Sequence, residues 1–197
     1  MAVSCSKINK RKAILTAARQ VFAAMGFHQA RIEDIAREAG VGKGTVYEYF
    51  SSKEQLYTKM IFEVADSYIT GVDTEISKEV TLPGKLAGIA RFHLQFIAQH
   101  GQLAEMAMQD PGHINQTLRK RLAQVSKQVI QRVAEIIGEA MDTGQFRSTD
   151  PVLAAKLFLG GLSNVINPMG AHEGKVAPDT LNMIVDLFLH GITKGEG

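Results

Sequence analysis

Apolar residues recur every three or four positions along nearly the whole of this 197-residue chain, and no β-branched run bounded by turn residues stands out as a strand. That spacing matches the 3.6 residues of a helical turn, and stripes of this kind are buried helix against helix. An all-α fold of about nine helices follows, and a hydrophobic content of 45% is enough to fill a core. Glycine and proline punctuate it. The first helix, about 8–25, follows a polar N-terminal tail that holds Cys5; it puts Ile14, Ala18, Val21, Phe22 and Met25 on one face and stops at Gly26. A second, Ile32 to Ala39, stops at Gly40, and a third spans about Lys43 to Tyr49 after the Gly40-Val41-Gly42 turn. Ser51 and Glu54 of SSKE read as a capping box opening a fourth helix, from about Lys53 toward Ile76. Pro83 opens a fifth that reaches His100, and Gly101 and Pro111 bracket a short sixth. Leu118, Leu122, Val125, Val129, Val133, Ile136 and Ala140 stripe a seventh ending near Gly144. Asp150-Pro151 caps an eighth to about Asn167; after a Gly- and Pro-containing loop, 168–177, Pro178 begins a ninth to about Thr193.

Charge divides the chain. The net value is only +2, but residues 1–59 hold ten Lys or Arg against five acids, while residues 60–197 hold twelve against fifteen. The basic end is a candidate polyanion-binding surface. It also carries two short helices joined by a tight Gly-containing turn, the helix-turn-helix signature. Val46 must point inward with Ile35 and Phe50, which leaves Lys43, Gly44, Thr45, Tyr47, Glu48 and Tyr49 for solvent or DNA. Lys43 can bond guanine O6 or N7 or a phosphate, Gly44 admits close groove approach, and Thr45 offers a hydroxyl to phosphate and a methyl to thymine. On an isolated helix, Tyr47 and Tyr49 would read equally as packing aromatics. Arg31 is a further phosphate candidate, and Glu48 has no assigned role.

The segment GFHQARIEDIAREAGVGKGTVYEYFSSKEQL, Gly26 to Leu56, resembles the DNA-binding signature of the TetR family of bacterial repressors. The match combines Gly26-Phe27, Asp34-Ile35-Ala36, Ala39-Gly40-Val41, Lys43-Gly44-Thr45-Val46-Tyr47, Tyr49-Phe50 and Ser52-Lys53-Glu54 in unbroken register, against which a lone short motif is weak. A weaker echo runs from Gly144-Gln145-Phe146 through Asp150-Pro151 to Gly160-Gly161. The resemblance implies an N-terminal three-helix DNA-binding domain, residues 1–53, and a helical ligand-binding and dimerisation domain, residues 54–197. It implies DNA contacts at Lys43, Thr45, Tyr47, Tyr49 and Lys53, the tyrosines and Lys53 on phosphates. It further implies a repressor that binds a palindromic operator as a homodimer and is released by a small molecule; a TetR-like activator is the alternative. Family members often carry Thr at the position of Ala30 and Ser at that of Gly42, where a hydroxyl can cap the next helix.

The last two helices carry more apolar surface than one burial face needs, and Gly160 and Gly161 allow close helix approach. Leu157, Gly160, Gly161, Leu162, Ile184 and Phe188 are therefore expected in a four-helix dimer interface. Phe62, Tyr68, Phe92, His93, Phe96, His100, Met106 and Met108 are candidates for an effector pocket, though the same spacing also makes an ordinary helix core. His93 and His100 lie seven apart on one face, but a metal needs further ligands and His113 sits beyond a Pro-Gly break, so no metal is expected. With one cysteine, no Gly-rich phosphate loop after a strand and no nucleophile elbow, neither a disulfide framework, a cofactor nor an enzyme is indicated. The start MAVSCSKINKRK lacks an apolar signal core and no stretch reaches the length of a membrane helix, so a cytoplasmic location is expected.

Overall fold

The computed structural model describes residues 2–109, 116–166 and 178–191, with the backbone alone at 2–8, 102, 104–109, 165, 166 and 178. Within them the chain forms eight helices and no strand. They are α1 (Ala2–Gln29), α2 (Ile32–Glu38), α3 (Lys43–Tyr49), α4 (Lys53–Lys78), α5 (Leu82–Gln109), α6 (Gln116–Asp142), α7 (Pro151–Ile166) and α8 (Pro178–His190). The all-α expectation holds, but several boundaries differ from the sequence reading. Helix α1 begins at Ala2, so the backbone at Cys5 is helical and not a tail. The expected fifth and sixth helices are one: Gly101 lies inside α5. A single interior glycine costs about 1 kcal/mol against alanine, and Leu103, buried in the first unit's core, keeps the helical register beyond it. The last helix stops at His190, before Gly191 at φ 77°, and not near Thr193. The loop 168–177, Pro111 and His113 lie outside the described residues.

The helices gather into two compact units, Met1–Asp66 with His100–Leu122, and Ser67–Gln99 with Ala123–Gly197. In the first unit α1 contributes Ile14, Ala18 and Phe22, α2 contributes Ile32, Ile35 and Ala36, and Val46, Phe50, Leu56, Tyr57 and Met60 complete the core with Leu103 and Leu118. Tyr57 meets Phe22 and Phe27 edge to face at 5.2 and 5.0 Å between ring centroids. Met25, expected on the buried face of α1, is exposed because Gly26 breaks the helix immediately after it. In the second unit the expected stripe of α6 is buried from Val125 to Ala140. Leu86, Ile89 and Ala90 of α5, and Ala155, Phe158 and Leu162 of α7, are buried with it, and an Asp73–Arg132 ion pair at 3.1 Å joins α4 to α6. Asp150 caps α7 as expected: its Oδ1 accepts from the amides of Val152 at 2.8 Å and Leu153 at 3.2 Å, and Pro151 takes the first turn.

Candidate functional site

The helix-turn-helix is built by two glycines. Gly26 ends the long part of α1 at φ 76° and ψ 163°, a backbone region essentially restricted to glycine. Gly40, at φ 65°, closes α2: Val41 N donates to Ala36 O at 2.9 Å and Gly40 N to Arg37 O at 3.1 Å, the two bonds of a Schellman end. Val41 then packs on the core, and Gly42 starts α3 from an extended backbone with no side-chain cap. Arg31, not Ala30, holds the corresponding place before α2, also without a side-chain cap, while Ala30 is fully buried.

From that turn α3 presents one buried residue, Val46, packed with Ile35 and Phe50 as expected. Lys43, Gly44, Tyr47 and Glu48 are exposed, and Thr45 and Tyr49 are half-buried. Arg31 is exposed at the start of α2. Lys43 Nζ donates to Glu33 Oε1 of α2 at 2.6 Å and lies 6.0 Å from the centre of the Tyr47 ring. The hydrogen bond from Lys43 holds the Glu33 carboxyl below the usual carboxylate range, and the same bond raises the Lys43 ammonium.

Lys53, which the resemblance places on a DNA phosphate, also has partners within its own chain. Its ammonium donates to the carbonyls of Ala30 at 2.9 Å and His28 at 3.2 Å and sits 4.6 Å from the centre of the Phe27 ring. It ties the start of α4 to the end of α1. The cap observed lies one residue further on: Ser52 Oγ accepts from Gln55 N at 3.1 Å, and Gln55 Oε1 reaches back past the cap to accept from Ser51 N at 2.7 Å. Ser51 and Glu54 had the spacing of a capping box; Ser52 and Gln55 have it too, and α4 starts at Lys53, which makes Ser52 the capping position.

The effector candidates separate. Tyr68, Phe92, His93 and Phe96 come together in the second unit, with Tyr68 5.6 Å from Phe92 and 4.8 Å from Phe96 between ring centroids and its hydroxyl 2.5 Å from His93 Nδ1. Phe62 and His100 belong to the first unit, where Phe62 packs on its core. The side chains of Met106 and Met108 lie outside the described residues. Burial raises the Tyr68 phenol far above its usual range and lowers the His93 imidazole. Among the described residues no group of three or more His, Cys, Asp or Glu is placed to hold a metal, and no helix is long and apolar enough to cross a membrane.

On α7 and α8, Leu153, Leu157, Met183 and Leu187 are large apolar side chains left exposed, and a Cβ at Gly160 or Gly161 would meet nothing within 4 Å. Ile184 is half-buried beside them. Phe188 meets Phe158 at 5.1 Å between tilted rings, and Leu162 is fully buried within its own protomer, so its apolar surface is already covered there. Sequence spacing had no means of separating Leu162 from Leu157, because both faces of α7 are apolar.

The family model described as bacterial regulatory proteins, tetR family, matches residues 14–60, and that of the tetracyclin repressor-like C-terminal domain matches residues 81–192. The chain belongs to the TetR family. It is a DNA-binding transcriptional regulator with an N-terminal helix-turn-helix and a C-terminal helical domain. It is similar to the fatty acid metabolism regulator protein of Bacillus subtilis (strain 168), 26% identical over 181 residues that make up 91% of this chain and 93% of that one. A solved structure of the transcriptional regulator FadR from Bacillus subtilis, in complex with stearoyl-CoA, superposes with a TM-score of 0.75 at 25% identity and covers 92% of this chain and 99% of that one. The regulator RutR of Escherichia coli (strain K12) is 45% identical, but over only 60 residues, 30% of this chain and 28% of RutR.

Proposed function

We propose that this protein is a transcriptional repressor that binds a palindromic operator as a homodimer and leaves it on capturing a long-chain acyl-coenzyme A thioester. The carrying observation is the likeness to the Bacillus fatty acid regulator, which extends through both domains and not through the DNA module alone. In this reading residues 1–53 bind DNA and residues 54–197 bind the effector and the second protomer. Lys43, Gly44 and Thr45 reach the major groove, and Arg31, Tyr47 and Tyr49 contact phosphates. Lys43 exchanges its Glu33 partner for a base or phosphate on binding, which favours sites that offer a strong acceptor. Leu153, Leu157, Met183 and Leu187, with Gly160 and Gly161 between helices, form the dimer face, because four large apolar side chains exposed on two adjacent helices need a second burial partner. Coupling passes through α4, one continuous helix whose start is tied to α1 by Lys53 and which carries Tyr68. The protein works in the cytoplasm, needs no metal or resident cofactor, and catalyses nothing.

The test is selection of a duplex from a random pool by the full-length protein, followed by binding assays with salt and with stearoyl-CoA. A palindromic site, a steep salt dependence from counterion release, and release at least tenfold more effective with stearoyl-CoA than with free coenzyme A are expected. Equal affinity for selected and random DNA would remove operator recognition; indifference to every acyl-CoA would remove the effector. A reporter that falls when the protein is deleted would make it an activator.

A further inference from the structure

We infer that the Nε2–H of His93 is the hydrogen-bond donor that receives the neutral carbonyl oxygen of the acyl effector, with Tyr68 as the positioning residue that sets its tautomer. The inference rests on the acyl-effector reading above and deepens it. Tyrosine apart, His93 is the one polar or charged side chain that is buried among the described residues. One turn back on the same face of α5, Ile89 and Ala90 are fully buried, so its surroundings are apolar.

Only one of its ring nitrogens is used. Nδ1 lies 2.5 Å from the Tyr68 hydroxyl, and among the described residues Nε2 has no hydrogen-bond partner. Two proton arrangements fit that distance. If the phenol donates to Nδ1, the single unmet group is an N–H at Nε2. If Nδ1–H donates to the phenol oxygen, both the phenolic O–H and the Nε2 lone pair lack a partner in that contact. Unmade buried hydrogen bonds carry the full desolvation cost of the group, so the first arrangement is the stable one. It fixes Nε2 as a donor pointing away from Tyr68.

The pair is closely packed. Tyr68 is flanked by Phe92 and Phe96 and meets the His93 ring edge to face at 5.7 Å. Phe92 lies against the backbone of α4 where Gly71 has no side chain: a Cβ there would fall 1.9 Å from the ring. A donor fixed in apolar surroundings matches a ligand that is apolar except for one uncharged acceptor. A thioester carbonyl answers that description. A carboxylate would bring a full charge to the same place and incur its desolvation cost.

Calorimetry on the full-length protein with three probes tests this: stearoyl-CoA, S-octadecyl-CoA in which a methylene replaces the carbonyl, and free stearate. The parent should bind stearoyl-CoA roughly tenfold or more tighter than the thioether, the effect of leaving one buried donor unmatched. His93→Leu should bind both alike, His93→Gln should recover part of the preference, and Tyr68→Phe should reduce it. Nitrogen-15 spectra of the parent imidazole should show the Nε2–H tautomer, with that proton shifting when stearoyl-CoA is added. Equal affinity of the parent for thioester and thioether would overturn the inference and leave the acyl-CoA reading standing. A preference for stearate would overturn the neutral-carbonyl assignment. Failure of all three probes to bind would sink the acyl reading and the inference with it. The parent comparison needs no variant, so a poorly folded His93→Leu does not rescue the idea.

Discussion

Replacing Lys53 by Met removes an ammonium and keeps a flexible stem of similar reach, so the loss isolates what the charge does. Two bonds disappear, to Ala30 O at 2.9 Å and His28 O at 3.2 Å, along with a cation over the Phe27 ring at 4.6 Å. A hydrogen bond from a charged donor contributes about 1.5–3 kcal/mol and a partly exposed cation–π contact about 0.5–1 kcal/mol. Lys53 is half-buried, the longer bond is the weaker, and the thioether regains some packing, so the net loss comes to about 2 kcal/mol. For a chain of this size that lowers Tm by about 4–8 °C. The same variant separates positioning from phosphate contact. Each neutralised phosphate contributes about 0.9 to the slope of log K against log salt concentration. If Lys53 acts by holding α4 to the end of α1, Lys53→Met should weaken operator binding with that slope unchanged. A variant that melts within about 1 °C of the parent while the slope drops by about 0.9 would refute the lock and make Lys53 a phosphate ligand.

Gly26→Ala should cost about 1–3 kcal/mol through backbone strain alone, since a Cβ there meets nothing within 4 Å; a denaturation midpoint equal to the parent's would contradict the φ of 76°. Gly161→Arg should leave the protomer's helical content intact, because its Cβ is also unobstructed, yet yield monomers in sedimentation; undisturbed dimers would move the interface elsewhere. The His93 imidazole is lowered from 6.5 by burial, so the unfolded chain takes up its proton first as pH falls. Stability from this group is therefore complete above about 6.5 and is lost below it, toward the lower folded value. His100 is lowered too, by burial and by Arg19, so the quantity to measure is the difference between parent and His93→Leu in the change of Tm from pH 7.5 to 5.5. The parent should show the steeper fall, and parallel curves would contradict the neutral buried imidazole.

Local chemistry made the helix-turn-helix legible in the sequence. Gly26 and Gly40 stand where positive φ is needed, Val46 is the inward residue on a seven-residue helix, and Asp150-Pro151 is a cap complete in itself. Each of these depends on residues within a few positions of one another, so the order of amino acids alone determines it. Where two local readings competed, long-range packing chose. Gly101 could end a helix or sit within one, and burial of Leu103 carries α5 through it. Ser51-Glu54 and Ser52-Gln55 have the same spacing, and the start of α4 selects the second. Family resemblance puts Lys53 on a DNA phosphate, and only the folded backbone brings two carbonyls and an aromatic ring to it. Apolar residues on α7 look alike until packing buries Leu162 and leaves Leu157 64% exposed. The pairing of Tyr68 with His93 spans 25 residues and two helices, and no periodicity within either helix contains it. Helix and turn propensities are short-range free energies and can be read along the chain, whereas the partner of a side chain depends on which segments the fold brings together, and that is decided only by burial of the whole.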